Sequence, residues 1–467
     1  MPERRIAVIG SGYVGTVVAA CLAHVGHRVV GVESDETKLG TLRRGSVPFH
    51  EPGLQQLLAT AVRDGSLRFT DDFADAMASS DVVFVCVGTP PCEDGQPDLG
   101  AMSCVAVELA RNLHHYHVIV TKSTVPIGTG FWLRSLIEGE LGSETCGALF
   151  DVVSNPEFLR EGNAVQDYLH PDRLVLGSTS NSALREVVDV YRPILEQRLP
   201  GLVGRRDPVP VLLTGLATAE MTKYASNAFL ATKISFANEM ARLCELVGAD
   251  VTEVTAGMGL DSRIGGRFLD SGLGWGGSCF GKDLRALVGT AEEYGYHARV
   301  LEAAIEVNEG QRQLAVEQLL RQLKTLRGAR VGILGLSFKP DTDDLRDSPA
   351  LDVACRLVRR GSFVTAYDPM VRSLPGLDEV RIAPDAYSVA AGADAVVVAT
   401  EWPEFLDLDL ERMHGLMRGD VFLDGRNLFD PAKLRAAGFR HVGIGRPAEA
   451  VGPASAARLL PLPLAVS

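Results

Sequence analysis

Short runs of apolar residues alternate with helically spaced stretches near both ends of this chain. Arg5-Ile6-Ala7-Val8-Ile9 has the pattern of a strand buried on both faces, and it feeds directly into Gly10-Ser11-Gly12-Tyr13-Val14-Gly15. From Thr16 to His24 the apolar positions Val17, Val18, Ala20, Cys21 and Leu22 follow helical spacing. Arg28-Val29-Val30-Gly31-Val32 then reads as a second strand, closed by Glu33. Late in the chain, Ala329 to Leu336 repeats the strand-then-glycine pattern. Ser362 to Pro369, with its acid Asp368, and Ala393 to Thr400 add two further strands. Continuous apolar strands separated by helices predict parallel sheets covered on both faces. Between the two halves, from about Thr214 to Gln322, the pattern is helical. Ala217 to Val247 contains neither proline nor glycine, which predicts one long helix that joins the sheets and packs against a second copy.

The first glycine cluster adds chemistry to this picture. A G-x-G-x-x-G after a strand and at the head of a helix, within one βαβ unit, is a dinucleotide cradle. Gly10 permits the tight turn, Gly12 lets the backbone approach a pyrophosphate, and Gly15 allows close helix packing, with Tyr13 and Val14 between them. Glu33 can accept hydrogen bonds from both hydroxyls of an adenosine ribose. Ser34 and Asp35 follow it where a basic residue would favour NADP, although Lys38 is within reach, so NAD is the expected cofactor. The later half lacks the full fingerprint and is expected to bind something other than a dinucleotide. The expected fold is α/β, with two Rossmann-like doubly wound parallel-sheet domains, 1–205 and 323–446, joined by a central helical dimerisation domain, 206–322, and followed by a flexible tail, 447–467.

Composition narrows the class. The 467 residues are 46% hydrophobic and 22% charged, as in an ordinary globular protein. No apolar run approaches the roughly 20 residues of a spanning helix. With a strand opening at Arg5 no signal segment is expected, and the chain reads as cytoplasmic. A net charge of -13 argues against a nucleic-acid partner, while an anionic small substrate would need a local basic pocket. The eight cysteines, at 21, 86, 92, 104, 146, 244, 279 and 355, lack metal-ligand spacing, and no metal is expected.

One of these cysteines stands apart. In Gly276-Gly277-Ser278-Cys279-Phe280-Gly281-Lys282-Asp283 it follows a flexible turn and precedes what reads as a helix start. Unpaired N–H groups and the positive dipole end favour a thiolate there, which makes Cys279 the candidate nucleophile; the plain alternative is a buried structural cysteine. Asp283 follows four residues later, which would place thiol and carboxylate on one helix face. On the long helix, Glu220, Lys223, Tyr224 and Asn227 lie at i, i+3, i+4 and i+7, so an ammonium and an amide share a stripe and can converge on one oxygen.

These residues, with Glu51-Pro52-Gly53-Leu54, Val87-Gly88-Thr89-Pro90, Lys122-Ser123-Thr124-Val125-Pro126, Asn155 to Gly162, Ala219 to Asn227, Gly335 to Lys339 and Asp424-Gly425-Arg426-Asn427, resemble the UDP-glucose/GDP-mannose 6-dehydrogenase family in family order from about residue 5 to 430. The resemblance implies oxidation of a sugar nucleotide from alcohol to carboxylate with two NAD and one water. It implies that Cys279 captures the aldehyde as a thiohemiacetal, which is oxidised to a thioester and hydrolysed. Lys223 and Asn227 would stabilise the C6 oxyanion. Asp283, and Thr124 with Glu157 through a water, would move protons, with Glu161 a second candidate for the Glu157 role. Thr89 and Ser123 would face the nicotinamide. Glu157, Phe158, Leu159 and Gly276 would line the substrate. Phe338 and Lys339 would contact uridine and diphosphate, and Arg426 the sugar. Arg263 would cross from a partner subunit, so that a homodimer is functional. Phe280 and Ile234-Ser235-Phe236 resemble the UDP-glucose branch; GDP-mannose, or a nucleotide-sugar-binding homologue without turnover, is the alternative. Three positions depart from the family pattern: Gly281 replaces a proline, Glu33 an aspartate, and Trp275 a tyrosine or phenylalanine.

Overall fold

The structure, a computed structural model, describes residues 3–92, 95–142, 149–199 and 207–447. All but the first residue of the expected tail, and Cys146, lie outside them. Contacts gather into two compact units, Met1–Asn227 with Lys282–His297, and Ala228–Gly281 with Ala298–Ser467. Two of the divisions fall inside helices, Leu216–Val247 and Phe280–Glu293.

The first unit is built on an eight-stranded sheet. Its strands are β1 (Arg5–Ile9), β2 (Arg28–Val32), β3 (Leu67–Thr70), β4 (Val82–Val85), β5 (His117–Thr121), β6 (Phe150–Ser154), β7 (Leu174–Gly177) and β8 (Val211–Thr214). They lie in the order β3-β2-β1-β4-β5-β6-β7-β8, parallel except where β7 turns antiparallel to β6. The expected double-faced burial is present. Ile6, Val8, Val82 and Phe84 enter one apolar cluster, while Ala7, Ile9, Val83 and Val85 enter another on the opposite face. That is why these strands read as unbroken apolar runs.

The second unit holds a six-stranded parallel sheet, β9 (Arg330–Leu334), β10 (Phe363–Tyr367), β11 (Val380–Ile382), β12 (Ala395–Val398), β13 (Val421–Asp424) and β14 (Arg440–Gly443), in the order β11-β10-β9-β12-β13-β14. Relative to their own first strands, both sheets run third, second, first, fourth, fifth, sixth. Each therefore has a topological switch point beside its first strand, where a crevice opens at the strand ends. Gly10 and Gly335 close these first strands with the same φ of +90°, a backbone region that glycine enters without strain.

The two crevices differ in how they use the acid that ends the second strand. Asp368, fully buried, accepts hydrogen bonds from the backbone of Leu336 (2.8 Å) and Ser337 (3.0 Å) and from Trp402 Nε1 (3.1 Å). It is committed to its own glycine turn, which explains why this sheet offers no ribose acceptor of the first kind. The helix Leu216–Val247 is continuous over 32 residues, one residue longer at its start than its sequence pattern suggests. Among the described residues no helix is long and apolar enough to cross a membrane.

Candidate active site

In the first unit the glycine turn caps the helix Tyr13–His24, with Gly12 in the N-cap position. A side chain on Gly15 would place its Cβ 1.9 Å from the carbonyl oxygen of Gly10, so only glycine lets this helix seat on the turn. On Gly12 a Cβ would meet nothing within 4 Å. Protein packing does not demand that glycine, whereas a pyrophosphate lying against the backbone does. Glu33, at the end of β2, accepts from the backbone of Asp35 (3.0 Å) and has Lys38 Nζ at 3.7 Å. The crevice thus fits a dinucleotide: a bare N-terminal turn at one end and a carboxylate at the other.

Loops following β4 and β5 close the other side of this crevice. Thr89 Oγ1 donates to the Thr124 carbonyl (2.7 Å), and Ser123 Oγ to the Val87 carbonyl (2.7 Å). The long helix is tied to the same region through Glu220, which accepts from the backbone of Gly128 (2.6 Å) and Gly130 (2.8 Å). Burial pushes the Glu220 carboxyl up to about 7 in spite of these two donors.

One turn further along the helix the expected donors appear, each already oriented by a carboxylate. Lys223 Nζ lies 2.8 Å from Glu157 Oε1, and both side chains are buried. Glu157 also accepts from the Leu159 backbone (2.6 Å). Burial alone would raise the Glu157 carboxyl, but the neighbouring ammonium and these hydrogen bonds hold it below the usual range. Asn227 Nδ2 donates to Asp283 Oδ2 (2.7 Å), while Lys282 Nζ sits 2.6 Å from Asp283 Oδ1. Glu161 lies instead within the field of Tyr13. Arg173 stacks on the Phe158 ring at 3.7 Å, and Lys223 Nζ stands 5.6 Å from the same ring.

In the second unit the nucleophile candidate and the expected nucleotide contacts share one framework. Cys279 is half-buried and immediately precedes the helix Phe280–Glu293, so it stands ahead of that helix, with Ser278 Oγ at 3.5 Å from its sulfur. Gly277 has φ +84°, and a Cβ there would lie 2.7 Å from the Phe338 ring; on Gly276 it would lie 2.2 Å from the Asp347 carbonyl. The double glycine therefore lets the cysteine loop lie directly on the segment carrying Phe338. Lys339 Nζ is 5.8 Å from that ring. Arg426 Nε donates to the Ala399 carbonyl (2.8 Å) and pairs with Glu401 (3.2 Å), and its Nη1 is 3.5 Å from the Gly274 carbonyl. Arg263 does not join this group; it is bound to Asp261 with its side chain 86% exposed.

Among the supporting residues, Asn238, Asn308 and Gln311 carry no obvious sequence mark. Asn238 accepts from the Gly272 backbone (2.8 Å), and Gln311 donates to the Gly272 carbonyl (2.8 Å). Asn308 grips Trp275 through both its backbone N–H (2.7 Å) and its carbonyl (3.0 Å), and Ser235 takes the indole N–H (3.0 Å). Four buried polar groups on two helices thus fix the strand of chain that leads to Cys279. In the first unit Glu51 accepts from Tyr13, from Gly162 N (2.8 Å) and from Ala164 N (2.7 Å), joining the glycine turn to the loop that carries Glu157.

Models of the UDP-glucose/GDP-mannose dehydrogenase family match three consecutive stretches: its NAD binding domain at residues 4–195, its central domain at 217–310 and its UDP binding domain at 332–431. The chain belongs to this family. It is 43% identical over 449 residues to UDP-glucose 6-dehydrogenase TuaD of Bacillus subtilis (strain 168), covering 95% of this chain and 94% of that one. It is 44% identical over 452 residues to the UDP-glucose 6-dehydrogenase of Rhizobium meliloti (strain 1021), covering 95% and 100%. Among solved structures, a UDP-glucose dehydrogenase from Pyrobaculum islandicum superposes with a TM-score of 0.86 at 38% identity, over 95% of this chain and 98% of that one. In this UDP-glucose/GDP-mannose dehydrogenase the glycine turn and Glu33 fall in the NAD-binding domain. Lys223, Asn227, Arg263, Cys279 and Asp283 fall in the central domain, and Phe338, Lys339 and Arg426 in the UDP-binding domain.

Proposed function

We propose that this enzyme oxidises UDP-glucose to UDP-glucuronate by way of two successive intermediates covalently bound to Cys279. The observation that carries the reading is the paired arrangement on the long helix, where an ammonium and an amide one turn apart are each held by a carboxylate. A cation and an amide donor fixed on a rigid element suit an oxygen that gains negative charge. Bound in the glycine crevice, NAD supplies the hydride acceptor for both oxidations.

The protein's own groups account for the rest. In the first oxidation the C6 hydroxyl loses its proton to Glu157, directly or through a water held with Thr124, as hydride departs. The Cys279 thiolate then adds to the aldehyde carbon, and Lys223 and Asn227 stabilise the oxyanion of the thiohemiacetal. Loss of the second hydride leaves a thioester. Glu157, its first proton passed on to solvent, takes a proton from water as it attacks; the C–S bond breaks, the thiolate returns, and the remaining proton leaves to solvent as the carboxylate forms. Covalent capture keeps the aldehyde from escaping between the two steps. Asp283 acts by orienting Asn227. Glu161, whose charge is felt at Tyr13, is left out of this scheme.

Substrate recognition is assigned to Phe338 and Lys339 for the nucleotide, Arg426 for the sugar, and the Gly276 turn with Phe158 and Leu159 for the rest. Relatives named UDP-glucose 6-dehydrogenases at 43% and 44% identity support glucose over mannose. Homodimer formation is supported by the long helix, whose Phe229 (65% exposed), Phe236 (43%) and Leu243 (49%) repeat every seven residues on an apolar stripe. Arg263, exposed and paired only locally with Asp261, is suited to reach a partner's site.

Two measurements test this. Purified enzyme with limiting UDP-glucose should release two NADH per sugar consumed, with GDP-mannose turned over at least about a hundredfold more slowly. A single equivalent of NADH, or a preference for GDP-mannose, contradicts the reading. Light scattering should give at least twice the chain mass, and a monomer at assay concentration would exclude the role given to Arg263.

A further inference from the structure

We propose that Lys122 is a positioning residue for Glu157: a second buried ammonium, behind the Lys223–Glu157 pair, that keeps this carboxylate charged and directed at Lys223. The inference rests on the base role given to Glu157 above.

Lys122 follows β5, and its backbone N–H donates to the Val85 carbonyl (2.9 Å) at the end of β4, so the sheet itself fixes where its side chain begins. The side chain is 4% exposed. Its Nζ donates to Asn155 Oδ1 (3.2 Å) and stands 5.7 Å from the ring centroids of both Tyr168 and Tyr191. The Tyr191 hydroxyl donates to the same Asn155 oxygen (2.7 Å), and Asn155 Nδ2 donates to the Val175 carbonyl (3.1 Å). Every atom of this holder is thus itself held. Asn155 precedes Glu157 by two residues, which places the ammonium at the root of the segment that presents the carboxylate.

A buried ammonium is costly unless something compensates its charge. Here, among the described residues, no carboxylate makes an ion-pair contact with Lys122, and the compensation comes from an amide oxygen, two ring faces and the field of Glu157. The groups facing it are Glu157, which favours its charge, Lys223, which opposes it, and the Cys86 thiol, which burial keeps protonated; burial brings the ammonium down to about 8. Glu157 in turn is faced by two cations, Lys223 and Lys122. When Lys223 is drawn toward a developing oxyanion, the second cation keeps Glu157 ionised and able to accept a proton. A lysine that merely filled space would have no need of a cage that preserves its charge.

Lys122→Met keeps the length of the side chain and removes the charge. At saturating UDP-glucose and NAD its kcat at pH 7 should fall about tenfold, with the acidic limb of the kcat profile moved to higher pH and the KM for NAD unchanged. A fall that is uniform across pH, with the limb unmoved, is the signature of packing and overturns the proposal. Coupling between two groups is reciprocal, so a second measurement does not depend on that variant folding. With 13Cε-labelled lysine, the Lys122 resonance should titrate at lower pH in Glu157→Gln than in the parent; an unmoved titration refutes the coupling. Glu157→Gln also separates the two readings. If it alone retained full two-NADH turnover, the base role of Glu157 would fall, whereas loss of turnover there with an unshifted limb in Lys122→Met would remove only the Lys122 assignment.

Discussion

Replacing Cys279 by serine is expected to lower steady-state turnover at least about a thousandfold while leaving NAD affinity unchanged. A serine hydroxyl at the same helix start remains protonated at neutral pH, so the dipole that favours a thiolate gains nothing from it. The first hydride transfer needs only the C6 hydroxyl, a base and the cofactor. Rapid mixing should therefore show a burst of at most one NADH per active site, followed by a stall at the aldehyde stage. The cofactor turn, Gly10 to Gly15, belongs to the other structural unit. Two-NADH turnover at the parent rate would refute the assignment of Cys279 as nucleophile.

Lys223→Met should be nearly as damaging, and for two separable reasons. Loss of a preorganised donor at a developing oxyanion costs about 100- to 1000-fold in kcat. Loss of the partner also strands the Glu157 carboxylate in a buried site, and breaking such a pair destabilises by roughly 3–5 kcal/mol. The two effects differ in pH dependence. Glu157 is held below its ordinary range in the folded parent, so its pairing contributes fully above the unfolded carboxylate value, about 4.3, and is lost as pH falls through the folded one. In the variant Glu157 can take up a proton and shed its penalty. The difference in urea midpoint between parent and variant should be largest at pH 7 and shrink toward pH 4. A gap that does not change with pH would mean that the charge pair is not what the variant loses.

The parts of this protein that could be read from sequence are those whose cause is local. β1, β2 and the start of the second sheet are legible because a strand covered on both faces has no polar alternation to blur it. The first helix is longer than its apolar spacing suggests, starting at Tyr13 rather than Thr16, because the turn glycine Gly12 serves as its cap. Lys223 and Asn227 stand out through their i, i+4 relation. Their partners do not, since Glu157 and Asp283 lie 66 and 56 residues away along the chain and only the fold brings them within hydrogen-bond reach. The same holds for Asn238, Asn308, Gln311 and Lys122. Each has a polar or charged neighbour in the chain, a pattern that in isolation describes a solvated side chain just as well. Asn238, Asn308 and Gln311 share a placement instead: each sets a buried amide where a glycine-rich strand of chain must be gripped.

The central claim, that the sugar is held on Cys279 between its two oxidations, is tested most directly by trapping. The parent enzyme is mixed with UDP-glucose and excess NAD, quenched in acid at successive times during turnover, digested and analysed by mass spectrometry. The account predicts a UDP-glucuronyl thioester on the peptide containing Cys279 and on no other. Product carrying two NADH equivalents with that peptide unmodified at every quench time would contradict it.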